Sequence, residues 1–227
     1  SQALIYDKGL VTIVEIMGRN AGWLVGAAAL SKGEDCDGPD LIYVPELPFD
    51  IDNFLVRIKE LLAEKTFVVV AVSEGIHYAD GAFVSAAISA NDGFGHAQLG
   101  GLAALLANVV KEKTGAKVRG IELSLLQRCG AHVASGTDIA ESYLAGKTAV
   151  EAAVSGVTDK MVAFACTRTE DGGYRCDTKL LDLSSVANYE KKVPVEWINE
   201  RGNDISDEFI RYANKYWSSG IREAEAN

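Results

Sequence analysis

Short apolar runs alternate with helical patterns along most of the chain, and this alternation restricts the possible folds more than any other feature. The apolar runs lie at 10–17, 41–44, 67–73, 118–124 and 161–167. The helical patterns lie at 20–31, 51–65, 97–114 and 137–155. Strands that are apolar at nearly every position are typical of a sheet that is covered on both faces. The sequence therefore predicts an α/β fold with a mainly parallel sheet flanked by helices.

The stretch 51–65 carries the clearest helical pattern. Asp50 precedes it and is well placed to serve as the N-cap. The apolar residues of one face recur at a spacing of three and four: Phe54, Ile58, Leu61 and Leu62. We expect an amphipathic helix here.

The alternation ends after residue 160. Two runs with strand character, 161–168 and 174–183, flank the sequence EDGG at 170–173, which predicts a hairpin with a glycine turn. Short helices are predicted at 195–199 and 206–218.

Composition limits the class of protein and its partners. The chain has 227 residues, 48% of them hydrophobic, and a net charge of −10. That charge argues against nucleic acid and anionic membranes as partners. No apolar run approaches the roughly 18 to 20 residues of a membrane span, and a basic, hydrophobic signal segment is absent from the amino end. We expect a cytoplasmic protein.

Because the chain opens with Ser1, almost directly before a core strand, we also expect a piece of a longer protein.

The cysteines carry no metal or disulfide motif. They are far apart in sequence, form no C-x-x-C pair and have no histidine at ligand spacing: Cys36, Cys129, Cys166 and Cys176. We therefore expect four reduced thiols and no metal site.

The run 10–17 stops abruptly at Gly18-Arg19-Asn20, where a helical pattern begins. Ligands of open α/β sheets bind outside the carboxyl ends of the strands, at turns of this kind. Gly18 would let the backbone approach a ligand, Arg19 would offer a planar fork to phosphate or hydroxyl groups, and Asn20 would cap the helix. An ordinary surface arginine explains Arg19 equally well at this stage.

Two further strand ends carry polar side chains. Glu74 follows the run 67–73, and a carboxylate there would accept hydrogen bonds from sugar hydroxyls. Arg119 lies within the run 118–124, with Gln127 and Arg128 past its end. Arginines suit bidentate contact with phosphate. Three strands that deliver polar groups to one edge predict a site for an anionic, hydroxyl-bearing ligand.

Several of these segments resemble phosphofructokinases. The motifs VEIMGRNAGW, VPELPFD at 44–50, VVVAVSEG at 68–75 and LLQR at 125–128 occur in that family's order and approximate spacing. The tail EWINERGNDISDEFIRYA is most similar to the diphosphate-dependent bacterial branch. The resemblance runs from about Leu10 to Gly220. It implies a phosphofructokinase-like fold truncated at the N-terminus, in which 1–227 form the fructose 6-phosphate-binding portion of a glycolytic 6-phosphofructokinase and the donor-binding part is absent.

The resemblance also implies roles for individual residues. Met17, Gly18 and Arg19 match the turn that contacts the sugar, with Arg19 near the transferred phosphoryl group. Glu74 matches a carboxylate that holds a sugar hydroxyl. The remaining matches are Gln127 and Arg128, of which Arg128 corresponds to an arginine on the 6-phosphate, and Arg119, whose counterpart reaches that phosphate across a subunit interface.

The chain departs from the ATP-dependent bacterial enzymes at two positions. Leu125 stands in place of a phosphate-binding histidine, and Leu10 in place of a second cross-subunit arginine. The 6-phosphate pocket must therefore differ, and a cation from the loop 75–96 is one candidate substitute. The family's Gly-Gly-Asp turn and Thr-Ile-Asp-Asn-Asp stretch, which supply the catalytic base and a magnesium-linked carboxylate, have no counterpart in the 227 residues. Mg²⁺ ligands are therefore expected in the missing N-terminal part.

Two classes of function remain open. The first is part of an enzyme that transfers a phosphoryl group from diphosphate, or from ATP, to the 1-hydroxyl of fructose 6-phosphate. The second is a non-catalytic sugar-phosphate-binding or regulatory module. We also expect a homo-oligomer, because Arg119 lies in a strand-like run where an unpaired charge would be costly to bury.

Overall fold

The computed structural model describes residues 9–85, 101–168 and 173–217. The strands are β1 (Leu10–Ile16), β2 (Leu41–Tyr43), β3 (Phe67–Ser73), β4 (Lys117–Glu122), β5 (Lys160–Arg168) and β6 (Tyr174–Asp182). The α-helices are α1 (Trp23–Gly26), α2 (Ile51–Glu64), α3 (Leu102–Thr114), α4 (Ser124–Arg128), α5 (Gly136–Val154), α6 (Leu183–Val186) and α7 (Asp207–Trp217). Short 3₁₀ helices occupy Ala27–Ser31, Ala131–Val133 and Val195–Trp197.

The chain divides into two compact units. Unit 1 comprises 1–129 and 192–210, and unit 2 comprises 130–191 and 211–227. All four strands of the parallel sheet and the predicted site residues belong to unit 1.

Unit 1 is built on a parallel sheet with the strand order β2-β3-β1-β4. Alternate residues of the central strands, such as Val11 and Ile13 of β1, are fully buried in a core that includes side chains from α2 and α3. The intervening Thr12 and Val14 point to the opposite face and are half-buried. The prediction of a mainly parallel sheet with flanking helices is confirmed.

Helix α2 follows its predicted pattern closely. The side chain of Asp50 accepts hydrogen bonds from the N–H groups of Asp52 and Asn53, as an N-cap does. Phe54 and Ile58 are fully buried, and Leu61 is buried with them, so the apolar face is the one that packs against the sheet.

Unit 2 contains the antiparallel pair β5 and β6, in register from Lys160 opposite Asp182 to Arg168 opposite Tyr174. The hairpin pairing is confirmed, while the predicted turn at 170–172 lies outside the described residues. Helix α5 matches its prediction within one residue at each end, and none of its residues is buried.

The predicted helix at 20–31 is wrong in its first part. The α-helix begins only at Trp23, and Asn20 does not cap it, because Gly22 occupies the N-cap position. Residues 17–22 form a turn that passes close to β2: the Gly22 N–H donates to Glu46 Oε1 at 2.8 Å, and a Cβ at Gly22 would lie 2.7 Å from Val44 Cβ. The close contact between Gly22 and Val44 therefore delays the start of the helix to Trp23.

The predicted strand at 118–124 is two residues too long, and the helix after it was missed. Strand β4 ends at Glu122, and Ser124, with a φ of +40°, starts α4. Five residues are too few for a periodic pattern to reveal a helix in sequence.

Within the described ranges, no helix is both long enough and apolar enough to cross a membrane. All four cysteines are free in the structure.

Candidate functional site

The carboxyl ends of three neighbouring strands meet at one edge of the unit 1 sheet. Ile16 of β1 lies opposite Ser73 of β3, and Glu15 of β1 lies opposite Glu122 of β4. The Leu123 N–H donates to the carbonyl of Glu15 at 3.1 Å and continues the pairing past β4. The segments that follow these strands are therefore held side by side.

Gly18 and Glu74 are joined directly across this edge. The Gly18 N–H donates to Glu74 Oε1 at 3.1 Å, and the Glu74 N–H donates to the carbonyl of Ile16 at 3.0 Å. The Ser73 hydroxyl donates to the Gly18 carbonyl. Gly18 has a φ of +152°, which favours glycine, so the turn after β1 depends on this residue.

Gly75 fixes Arg19 beside Glu74. A Cβ built on Gly75 would lie 1.7 Å from the carbonyl oxygen of Arg19, so only glycine fits. The Gly75 N–H donates to Ser73 Oγ at 3.1 Å, which holds the second turn in place. The backbone of Arg19 is thus pressed against the segment that carries Glu74, and the half-buried Arg19 side chain starts from there.

Helix α4 brings Gln127 to the same edge. The Met17 N–H donates to Gln127 Oε1 at 2.9 Å. Arg128 is the next residue, at the carboxyl end of the short helix, and its side chain is exposed. The structure thus brings Met17, Gly18, Arg19, Glu74 and Gln127 together, with Arg128 adjacent along the chain.

Arg119 is not part of this group. It lies opposite Thr12 on the edge strand β4, well before the carboxyl end of the strand, and it is exposed. The expected cost of burying its charge therefore does not arise in this structure.

The two departures from the bacterial ATP-dependent pattern lie in different surroundings. Leu10 is buried at the start of β1, whereas Leu125 on α4 is 71% exposed. The loop 75–96, from which a substitute cation was expected, contains no lysine or arginine. Of its histidines, His77 has its ring nitrogens 2.9 Å and 3.1 Å from the carbonyls of Tyr78 and Pro45, and His96 lies outside the described residues.

Two carboxylates at this edge were missed by the sequence reasoning. Glu15 and Glu122 line a cavity of about 60 Å³ together with Met17, Glu74 and Ser124. Burial raises the pKa of Glu15, and the charges of Glu122 and Glu74 raise it further, against the hydrogen bond that the carboxylate accepts from Ala103. A charged residue inside the apolar run LVTIVEIM was the available signal.

The cavity at this edge is too small to enclose a sugar phosphate. Small-molecule sites have volumes of roughly 300 to 1,000 Å³. A larger cavity, of about 1050 Å³, lies elsewhere in unit 1, beside Asp50, Arg57 and Arg201. The edge by itself therefore does not enclose a ligand of that size.

The described residues include no group of three or more His, Cys, Asp or Glu side chains that could hold a metal ion. The three carboxylates at the edge thus do not form a magnesium site by themselves.

Comparisons with known proteins show the family to which the chain belongs. The family model described as phosphofructokinase matches residues 7–153. The pyrophosphate–fructose 6-phosphate 1-phosphotransferase of Methylococcus capsulatus is 40% identical over 202 residues, which cover 89% of this chain and 47% of that protein. Its counterpart in Xanthomonas campestris is 41% identical, over 89% of this chain and 48% of that protein.

Solved structures give the same result. The pyrophosphate-dependent phosphofructokinase of Nitrosospira multiformis aligns with a TM-score of 0.71 at 32% identity, over 92% of this chain and 47% of that one. The enzyme of Marinobacter aquaeolei aligns with a TM-score of 0.70 at 32% identity, over the same shares of the two chains. The chain thus spans about half the length of the relatives that it matches. With a family model matched over most of unit 1 and a fold shared with two solved members, the chain belongs to the phosphofructokinase family.

Proposed function

We propose that this chain is the sugar-phosphate-binding part of a diphosphate-dependent 6-phosphofructokinase, which transfers a phosphoryl group from diphosphate to the 1-hydroxyl of fructose 6-phosphate. The observation that carries the proposal is the pair of cross-strand hydrogen bonds from Gly18 to Glu74 and from Met17 to Gln127. They unite the segments in which the family resemblance places its sugar contacts. The names of the relatives favour diphosphate as the donor.

Glu74 has the capacity to hold a sugar hydroxyl in addition to its backbone partner. A carboxylate offers about four lone-pair sites on two oxygens, and the Gly18 N–H uses one of them. The backbone bond also fixes the direction of the carboxylate, which lowers the entropy lost when a ligand binds.

Arg19 and Arg128 supply the positive charge that a phosphorylated sugar needs. The backbone of Arg19 is held against Gly75, next to Glu74, and its guanidinium would contact the transferred phosphoryl group, whose charge must be stabilised during transfer. Arg128, exposed after Gln127, would hold the 6-phosphate through bidentate hydrogen bonds.

In this proposal, polypeptide other than this chain forms the remaining walls of the binding site. The 60 Å³ cavity cannot enclose the ligand, and the chain spans about half the length of its relatives. A second copy of the chain would add Arg119, which lies away from its own edge. We therefore include a homo-oligomer in the proposal, with Mg²⁺ held by residues outside this chain.

The test is a calorimetric or NMR titration of the 227-residue chain with fructose 6-phosphate, up to millimolar ligand. A charge-assisted hydrogen bond contributes roughly 1.5 to 3 kcal/mol, so Arg128→Ala should weaken binding by about tenfold or more. The matched control is Arg175→Ala, an exposed arginine on β6 whose partner is Asp177. It should bind like the wild type.

Equal affinities for the wild type and the Arg128→Ala variant would remove Arg128 from the site. Equally weakened binding by Arg128→Ala and Arg175→Ala would indicate a general effect of charge and would count against a specific binding site at Arg128.

A further inference from the structure

Two cysteines of unit 2 face each other across the β5–β6 hairpin. Cys166 and Cys176 are register partners in the antiparallel pair, and their Sγ atoms are 3.6 Å apart. Directly opposed residues of an antiparallel pair have Cα atoms about 4.5 to 5.5 Å apart, inside the range of about 4.4 to 6.8 Å that disulfides span. A disulfide between them requires only small side-chain rotation.

We propose that Cys166 and Cys176 form a reversible disulfide when the protein is exposed to hydrogen peroxide. In the first step the Cys166 sulfur attacks one peroxide oxygen, the O–O bond breaks, and water leaves as Cys166 becomes a sulfenic acid. In the second step the Cys176 sulfur attacks the sulfur of Cys166, the S–O bond breaks, and a second water leaves. Two thiols are oxidised and one peroxide is reduced to two water molecules.

The surroundings assign the first attack to Cys166. Its side chain is exposed and lines an open cavity of about 500 Å³ together with Lys179 and Lys191, so a small oxidant can reach the sulfur. The Tyr174 hydroxyl lies 3.3 Å from the same sulfur and provides a polar neighbour.

Cys176 is better suited to be the resolving cysteine, which attacks the sulfenic acid and completes the disulfide. It is less exposed than Cys166, and burial raises its thiol pKa to about 11, with a further contribution from the hydrogen bond with Cys166. A thiol that stays protonated reacts slowly with peroxide in solution. It is nevertheless held within reach of the neighbouring sulfur, where proximity favours attack on the sulfenic acid.

The proposal is tested on the reduced 227-residue chain with hydrogen peroxide, followed by alkylation, trypsin cleavage and mass spectrometry. Cleavage after lysine and arginine places the two cysteines in separate peptides, 161–168 and 176–179. We expect these peptides to appear linked, two hydrogens lighter than their sum, and to separate on reduction. A Cys36→Ser, Cys129→Ser double variant should give the same link.

The order of attack is tested with dimedone, which traps sulfenic acids. The Cys176→Ser variant should carry the adduct on Cys166, whereas Cys166→Ser should carry little on Cys176. Far-UV circular dichroism of both variants against the wild type separates loss of folding from loss of reactivity. An adduct mainly on Cys176 would overturn the order.

Three results would overturn the pairing itself. They are a main link to Cys36 or Cys129, conversion of Cys166 to sulfinic acid without a link, and a link that forms only between chains when isotopically labelled and unlabelled protein are mixed. The outcome is independent of the proposed phosphotransferase role, because neither cysteine belongs to the edge at Gly18 and Glu74.

Discussion

Glu15 holds a carboxylate in the interior of unit 1, beside the amino end of α3. The side chain is 2% exposed, and its Oε2 atom accepts a hydrogen bond from the Ala103 N–H at 2.8 Å. A helix amino end favours negative charge, yet the loss of hydration outweighs it, and the pKa of Glu15 is raised. The chain thus places a carboxyl group that resists ionisation directly below the proposed ligand edge.

The raised pKa of Glu15 predicts a loss of stability with rising pH. Because the folded pKa lies above the ordinary value of 4.5, the folded state binds the proton more tightly than the unfolded chain does. The contribution of Glu15 is therefore most favourable below 4.5 and declines as the pH rises through the folded pKa. Urea unfolding of the wild type and of Glu15→Gln, between about pH 5 and pH 8, measures the effect.

The Glu15→Gln variant should gain stability relative to the wild type as the pH rises. The glutamine oxygen still accepts from Ala103 but carries no charge to desolvate. The matched control is Glu64→Gln at the exposed end of α2. Its free energy of unfolding should vary with pH in parallel with that of the wild type. A Glu15→Gln profile that is also parallel to the wild type would show that burial does not shift this carboxyl.

At the scale of elements, helix α2 gives the most direct link between sequence and stability. Asp50→Ala removes the hydrogen bonds to the N–H groups of Asp52 and Asn53, at 2.9 and 3.0 Å. The loss should lower the free energy of unfolding by about 1 kcal/mol, measured by urea denaturation. Asp50→Asn keeps a capping oxygen and should lose clearly less. Equal losses in the two variants would attribute the effect to charge alone.

The elements that the sequence predicted well are those whose pattern is long. Strand β3 was predicted at its observed bounds and α2 within one residue, because buried β-branched runs and amphipathic spacing are visible in sequence. The start of α1 and the whole of α4 were not predictable in this way. Their bounds depend on tertiary contacts, namely the close approach of Gly22 to Val44 and the bond from Met17 to Gln127.

The residues of the candidate site were likewise predictable from the sequence only in part. The carboxyl-edge position of Gly18 and Glu74 could be read from strand ends, since parallel strands bring their ends together. The presence of Glu15 and Glu122 at this edge could not be read from the sequence, because only the register of β1 against β4 brings the two side chains to the same cavity. Cys166 and Cys176 likewise meet only through the hairpin register.

For the whole molecule, the surface of α5 is the feature that most requires a partner. Its large exposed apolar residues fall within about 60° of arc on one side of the helix: Ile139, Tyr143, Val150 and Val154. Contiguous apolar surface of this kind marks interaction sites. It supports the proposal that the chain associates with a second copy.

We expect sedimentation of the 227-residue chain to show self-association that grows with concentration. Val150→Lys combined with Val154→Lys should weaken it by about tenfold or more, because two charges would have to be desolvated in the interface. Val56→Lys, at an exposed position of α2, is the control and should change little. A monomer at every concentration would exclude this surface as the interface in the isolated chain.

Ligand binding and catalysis should be separable in this chain. The 227 residues contain neither the Gly-Gly-Asp turn nor the Thr-Ile-Asp-Asn-Asp stretch from which the family resemblance draws the base and the magnesium-linked carboxylate. The chain should therefore show no turnover with diphosphate or ATP in a coupled assay, while fructose 6-phosphate still binds in the titration. A full-length diphosphate-dependent phosphofructokinase in the same assay is the positive control. Turnover by the chain would mean that its own carboxylates supply the base, and Glu74→Gln and Glu122→Gln would then identify which one does.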